Sequence, residues 1–278
     1  MTSAAIVLGT LGWFVAGLLF GGVLNGLADN LPVGEVPRGR NRAEALFLPR
    51  CEYCGEPRRG WRGLAALQAL AVGGGCGQCT APRKRRDLLL ELVMAAALAA
   101  LWLRSPASIV EHLGGAVVLG LFVLTTVIDY EHRLVLMDVS LVGAGLLLMV
   151  AGLGGLARLW GAVVGGAAAA AVFLVLFLLG FAFLRLMRYE TREAALGFGD
   201  VVLAGLVGLA VGWPAVLLAL LLAILGAGAA GLAILVWKAV RRQATQGATM
   251  AYGPYLALAA VLVYFFGADL AGLFLRFP

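Results

Sequence analysis

Uninterrupted apolar runs limit this chain more than any other feature, because about 20 apolar residues in a helix are enough to cross the hydrocarbon of a bilayer. Eight such runs fall at about residues 4–24, 88–103, 113–128, 138–157, 160–184, 200–212, 215–237 and 254–275. Composition agrees. Of 278 residues, 62% are hydrophobic and 13% charged, with mean hydropathy +0.98, which excludes an ordinary soluble domain. The first run is longer than a signal-peptide core. It lacks a small-residue cleavage site other than Gly21-Gly22, and so reads as a retained helix. The sixth run is short and joins the seventh through Gly212-Trp213-Pro214, as two tilted helices with a tight turn between them.

Charge sets the orientation. Eighteen of the 21 Lys and Arg lie in alternate loops, and only Arg104, Arg158 and Arg276 fall in the others. The positive-inside rule then places both termini outside and the basic loops in the cytoplasm, as expected for a multi-pass membrane protein. The net charge of +6 is accounted for by this topology and by attraction to anionic lipid headgroups, and it calls for no nucleic acid.

Three regions follow: a first helix (1–24), a soluble loop region (25–87) and a membrane domain (88–278). Polar residues from Asn25 to Pro32 mark a helix exit. The loop region is too small to bury an adequate core unaided. It carries all four cysteines, as Cys51-x-x-Cys54 and Cys76-x-x-Cys79, close to the spacing of a four-cysteine zinc site, with Gly55 and Gly77 as the turn residues. Two disulfides are the alternative, but a cytoplasmic loop is reducing. Four thiolates leave no open coordination position, so the zinc is structural. The fold class is therefore an all-α polytopic membrane protein, with about eight transmembrane helices and a small cytoplasmic zinc-binding loop domain. Arg83-Lys84-Arg85-Arg86 reads as a stop-transfer cluster at the interface, and His112 as an exposed, solvated histidine in an external link.

Two carboxylates stand out at the ends of apolar runs. Asp129 closes the third run, and Asp200 follows Leu196-Gly197-Phe198-Gly199 at the start of the sixth. A carboxylate at the rim of a bilayer is kept where it faces a cavity or a partner. Two that share a site hold one proton between them, an arrangement able to activate water and protonate a carbonyl. Gly197 and Gly199 would let a substrate strand lie close to the backbone. Asp138 rivals Asp129, and either Asp138 or Asp200 has the plainer reading of a helix cap. Glu131, His132 and Arg133 read as a solvated turn. The Gly- and Ala-rich runs around Gly161 to Val172 read as scaffold for close helix packing.

Gly197-Phe198-Gly199-Asp200, the segment Ile128-Asp129-Tyr130-Glu131-His132-Arg133-Leu134, the paired cysteines and Tyr252-Gly253-Pro254-Tyr255 together resemble the type IV prepilin peptidase family over nearly the whole chain. Its members are GxGD membrane aspartyl proteases that cut the leader from prepilins on the cytoplasmic side. Many then methylate the new N-terminus with S-adenosylmethionine. The resemblance implies Asp129 and Asp200 as the catalytic pair, in preference to Asp138, and prepilin or type II secretion pseudopilin precursors as substrates. Acidic groups such as Glu131, Glu190 or Glu193 would meet the basic leader. The chain departs from the family pattern where Val201 follows Asp200, where Met137 precedes Asp138, where Trp61 to Leu67 lacks acidic and proline residues, and where Asn25 to Pro32 lacks an arginine. No glycine-rich nucleotide fingerprint gives independent support for methyl transfer. The rival class is a non-proteolytic membrane assembly or transport component with a structural zinc loop.

Overall fold

The computed structural model describes residues 3–32, 46–71, 75–104, 109–186, 197–241 and 252–275. Among them are nine α-helices: α1 (Ser3–Asn30), α2 (Ala65–Leu70), α3 (Arg85–Arg104), α4 (Ile109–His132), α5 (Met137–Leu153), α6 (Leu156–Leu186), α7 (Phe198–Val211), α8 (Ala215–Val240) and α9 (Gly253–Leu275). A 3₁₀ turn covers Gly60–Gly63, and the described residues contain no strand beyond an isolated bridge between Arg50 and Pro57. The eight long helices coincide with the eight apolar runs. Four of them, α1, α4, α6 and α8, are long and apolar enough to cross a membrane, and α5, α7 and the first part of α9 are shorter apolar helices. The chain divides into two compact units, residues 1–120 and 121–278, with the boundary inside α4.

In the first unit α1 lies along α3, and the core is built from Leu24, Ala28, Leu90, Met94 and Leu98. The helix exit expected at Asn25 lies five residues further on. α1 continues to Asn30 because its polar residues bond sideways instead of breaking the helix, and Pro32 then ends it. Asn25 Nδ2 donates to Asp87 O at 3.0 Å, and Asn30 Nδ2 donates to Leu46 O and Leu48 O at 3.1 and 2.9 Å. Glu91, fully buried in α3, accepts the N–H groups of Ala65 and Ala66 at 2.7 and 2.8 Å and so holds the first turn of α2. The basic cluster, read as a stop-transfer run, is also paired within the fold. Arg83 pairs with Asp87 at 2.8 Å, Arg86 with Asp29 at 2.7 Å, and Lys84 with Glu52 at 2.9 Å, so its cations tie the loop to α1 and α3.

His112 also departs from expectation. It is buried, with ring centroids 4.9 Å from Trp13 and 5.3 Å from Trp102, because helical register on α4 turns the imidazole toward two indoles from distant points in the sequence.

The second unit is built on α7, which packs against α5, α6, α8 and α9. α6 and α7 touch backbone to backbone at Gly165 and Gly208, where a Cβ on either glycine would lie inside the other helix. The expected tight turn after α7 is present. Gly212 at φ +73° donates its N–H to Gly208 O at 2.9 Å and closes the helix, and α8 starts three residues later.

Candidate functional site

The two aspartates sit at opposite kinds of helix end. Asp129 lies in the last turn of α4. Its carbonyl accepts the N–H of Arg133 at 2.8 Å, and Arg133, at φ +53°, terminates the helix. The Asp129 Oδ2 atom is buried and accepts no hydrogen bond among the described residues. Asp200 is the third residue of α7. Gly197 occupies the cap position with extended backbone, and Asp200 Oδ2 accepts its N–H at 3.0 Å, which fixes the orientation of the carboxylate. Asp200 is thus not itself the N-cap of α7, which is Gly197, but reaches back to the cap N–H from the third helical position.

A third helix end joins them. Gly253, first residue of α9, lies against the Asp129 carboxylate. A Cβ there would clash with Oδ2, and would stand 3.1 Å from Cγ and 3.4 Å from Leu203 Cδ2 of α7. Asp129 and Asp200 are near enough to act on each other electrostatically, and Tyr252 lies within the same reach of Asp200, its ring 5.8 Å from that of Phe173 on α6. The ends of α4, α7 and α9 thus gather two carboxylates and a phenol. Gly199 admits the Val135 side chain, since a Cβ would come 2.7 Å from Val135 Cγ2, whereas Gly197 serves Asp200 through its N–H. Asp138 lies in the first turn of α5. Glu131 and His132 are exposed and extend α4 by a last turn in place of the expected loop, while Glu190 and Glu193 lie outside the described residues. Tyr252 and Gly253 belong to the motif that carries the family resemblance, but the sequence does not single them out as partners of the aspartates, because their contacts connect points 50 or more residues apart.

The four cysteines form a second centre, in the first unit. All are thiols, and their Sγ atoms lie within 4.8 Å of one another, with Cys51–Cys79 at 3.5 Å and Cys54–Cys76 at 3.6 Å. Four sulfurs at about 2.3 Å around a tetrahedral ion stand roughly 3.8 Å apart, so the quartet fits a metal. The two halves are built alike. Cys51 N–H donates to Glu56 O and Gly55 N–H to Cys51 O, while Cys76 N–H donates to Ala81 O and Thr80 N–H to Cys76 O. The left-handed residue is Gly55 (φ +69°) in one knuckle but Thr80 (φ +55°) in the other, so Gly77 is not the second turn residue. Gly77 instead leaves room for the Nη1 end of the Arg62 guanidinium, which a Cβ there would displace. Burial opposes ionisation of Cys51, yet N–H groups of Cys54 and Tyr53 directed at its sulfur bring the thiol down to about 6. N–H groups of Cys79 and Gln78 lower Cys76 in the same way. The N–H of Glu56 favours the Cys54 thiolate, but desolvation and the other three sulfurs outweigh it and push that thiol up to about 12. A cation among the four sulfurs removes that mutual opposition.

With this geometry in view, the comparisons with known proteins give the class. Residues 116–232 match the type IV leader peptidase family. Relatives of similar length include the prepilin leader peptidase/N-methyltransferase of Pectobacterium carotovorum, 33% identical over 90% of this chain and 91% of the relative. Those of Pseudomonas aeruginosa and Stutzerimonas stutzeri are 30% and 28% identical, covering 94% and 95% of this chain and 91% and 92% of theirs. No solved structure matches. The chain belongs to the type IV leader peptidase family, and is a peptidase of the bacterial membrane.

Proposed function

We propose that this chain cuts the leader from prepilin or pseudopilin precursors at the cytoplasmic face of the inner membrane, with Asp129 and Asp200 as the catalytic pair. The observation that carries the reading is the gathering of both carboxylates about Gly253 and Tyr252, on three helix ends of one compact unit. The charged member of the pair takes a proton from water while the neutral member donates a hydrogen bond to the scissile carbonyl. The water oxygen bonds to the carbonyl carbon. The C–N bond then breaks as the departing amine takes up a proton from the pair, with no covalent intermediate. The unpaired Asp129 Oδ2 supports its place in this exchange, and the hydrogen bond from the Gly197 N–H holds Asp200 Oδ2 in a fixed orientation.

Substrate shape fits the same unit. An apolar cavity of about 380 Å³ between α5, α6 and α7 is lined by Met137, Ser140, Ala144, Gly166, Val201 and Gly205, and begins one residue from Asp200. It would seat part of the long apolar helix that follows a prepilin leader, while exposed Glu131 stands toward the basic leader. The basic loops, with 18 of 21 cations, support a cytoplasmic site and external termini. In the loop, Cys51, Cys54, Cys76 and Cys79 would hold structural zinc, which supplies rigidity and no reactive position. The relatives' names include N-methyl transfer, and S-adenosylmethionine would be the donor. The cavity beside the cysteines, about 220 Å³, is smaller than the roughly 300–1,000 Å³ typical of ligand pockets, so no step is assigned to that donor.

Incubating the purified chain with a peptide that joins a basic leader to an apolar helix, and weighing the products, tests the reading. A single new N-terminus after the leader is expected, and the same spectrum reveals any added methyl group. Intact peptide in the presence of folded protein would favour the non-proteolytic assembly or transport role.

A further inference from the structure

The cysteine-bearing loop holds a small cavity that leader cleavage does not use. It measures about 220 Å³ and is lined by Arg58, Arg59, Arg62, Gln68 and the second knuckle from Cys76 to Gln78, with one carboxylate, Glu56. Arg58 is only 7% exposed. Its Nη1 donates to Gln68 Oε1 at 3.1 Å, but its buried Nε has no acceptor among the described residues. An N–H buried without an acceptor is costly, and more so on a charged group. Arg62 is held from two sides, with its Cζ 5.4 Å over the Trp61 ring and its Nη1 end close against Gly77. Guanidiniums fixed in this way match the oxygens of a phosphate better than any other common oxyanion receptor does.

The surface beside the cavity is apolar where a solvated loop would be polar. Trp61 is 52% exposed, Leu67 43% and Leu70 84%. Leu67 and Leu70, three residues apart, share one face of α2, while Gln68 between them lines the cavity. α2 packs on α3, and Arg83, two residues ahead of α3, anchors the 3₁₀ turn by donating to Arg62 O and Gly63 O at 3.0 and 2.8 Å. The cavity and its apolar flank therefore stand beside the start of α3, whose apolar run at 88–103 is expected from the sequence to enter the bilayer. An indole and leucines set among arginines make the composition of a segment lying in a membrane interface.

We propose that this cavity binds the phosphate of an anionic phospholipid headgroup in the cytoplasmic leaflet, through Arg58 and Arg62, with Trp61, Leu67 and Leu70 at the acyl-chain boundary. The inference rests on the membrane placement given under the proposed function, but not on the peptidase chemistry. A different use of the same cations is to offset the excess negative charge of four thiolates around a divalent metal, and the two uses move different observables.

The test uses the full-length, metal-loaded protein in nanodiscs of mixed phosphatidylglycerol and phosphatidylcholine, with retained lipid counted by native mass spectrometry and metal measured on the same sample. The wild type retains phosphatidylglycerol in excess of phosphatidylcholine, and Arg58→Gln or Arg62→Gln lowers that excess roughly fivefold. Leu67→Ser with Leu70→Ser lowers retention of both lipids. Arg62 is exposed, so Arg62→Gln decides the matter if Arg58→Gln fails to fold. An unchanged phosphatidylglycerol excess in Arg62→Gln overturns the proposal, and if metal is lost at the same time the charge-offset role replaces it. Stripping of the lipid by inorganic phosphate, together with indifference to the leucine changes, also overturns it, in favour of a free-phosphate site. Leader cleavage is followed in parallel. Asp200→Asn should lose cleavage yet keep the lipid excess, so a failure of the peptidase reading and a failure of this one show in different columns of the experiment.

Discussion

Gly253 gives Asp129 a contact that no other residue type allows. The carboxylate lies so close that a methyl group at this position would clash with Oδ2. Gly253→Ala is expected to lower leader cleavage by about tenfold or more while costing about 1–3 kcal/mol of stability, as overpacking does; equal cleavage by the variant would remove Gly253 from the site. Glu91 is the corresponding residue of the first unit. Glu91→Ala would leave the Ala65 and Ala66 N–H groups without their acceptor and Arg83 without one of its partners, a loss of about 3–5 kcal/mol. A thermal unfolding midpoint unchanged from wild type would contradict that. The sequence is a good guide to Asp129 and Asp200, because carboxylates that end apolar runs are conspicuous. It is a poor guide to Gly253, Glu91 and His112. A glycine beside a proline, a glutamate inside an apolar run and a histidine in a link each acquire meaning only from a partner far along the chain.

At the scale of elements, apolar length locates the eight long helices to within a few residues, but polar residues mislead at their ends. Asn25, Asp29 and Asn30 read as a helix exit because each is a poor helix former, yet each has a hydrogen-bond or ion-pair partner in the loop or α3. The cations ahead of α3 are likewise legible as charge and illegible as pairs. The cysteine spacing predicts the four-cysteine cluster well, because two similar knuckles need only local turns, although the second turn falls on Thr80. Metal binding by thiols releases protons, so affinity falls as pH falls. Acidification or chelation should therefore release metal and expose residues 46–84 to protease, and Cys51→Ser with Cys79→Ser should do so at neutral pH. A loop equally protected with and without metal would mean that the ion pairs alone hold it. Between α6 and α7, Gly208→Leu should separate the helices and destabilise the protein by about 1–3 kcal/mol or more; a fully stable variant would show that the contact at Gly165 is not required.

For the molecule as a whole, composition is enough to give an all-helical membrane protein. It does not bring α4, α7 and α9 together, since helix order along the chain leaves open which ends meet. That meeting is the central claim. Its most direct test is to compare the wild type with Asp129→Asn and Asp200→Asn, each confirmed as folded and membrane-inserted, for removal of the leader from one precursor. Each single change is expected to lower the rate by roughly 10²–10⁴-fold, and the double change by little more than either alone, since the two carboxylates act as one acid–base unit. Near-normal cleavage with either aspartate replaced, or losses that simply multiply in the double variant, would contradict a shared site.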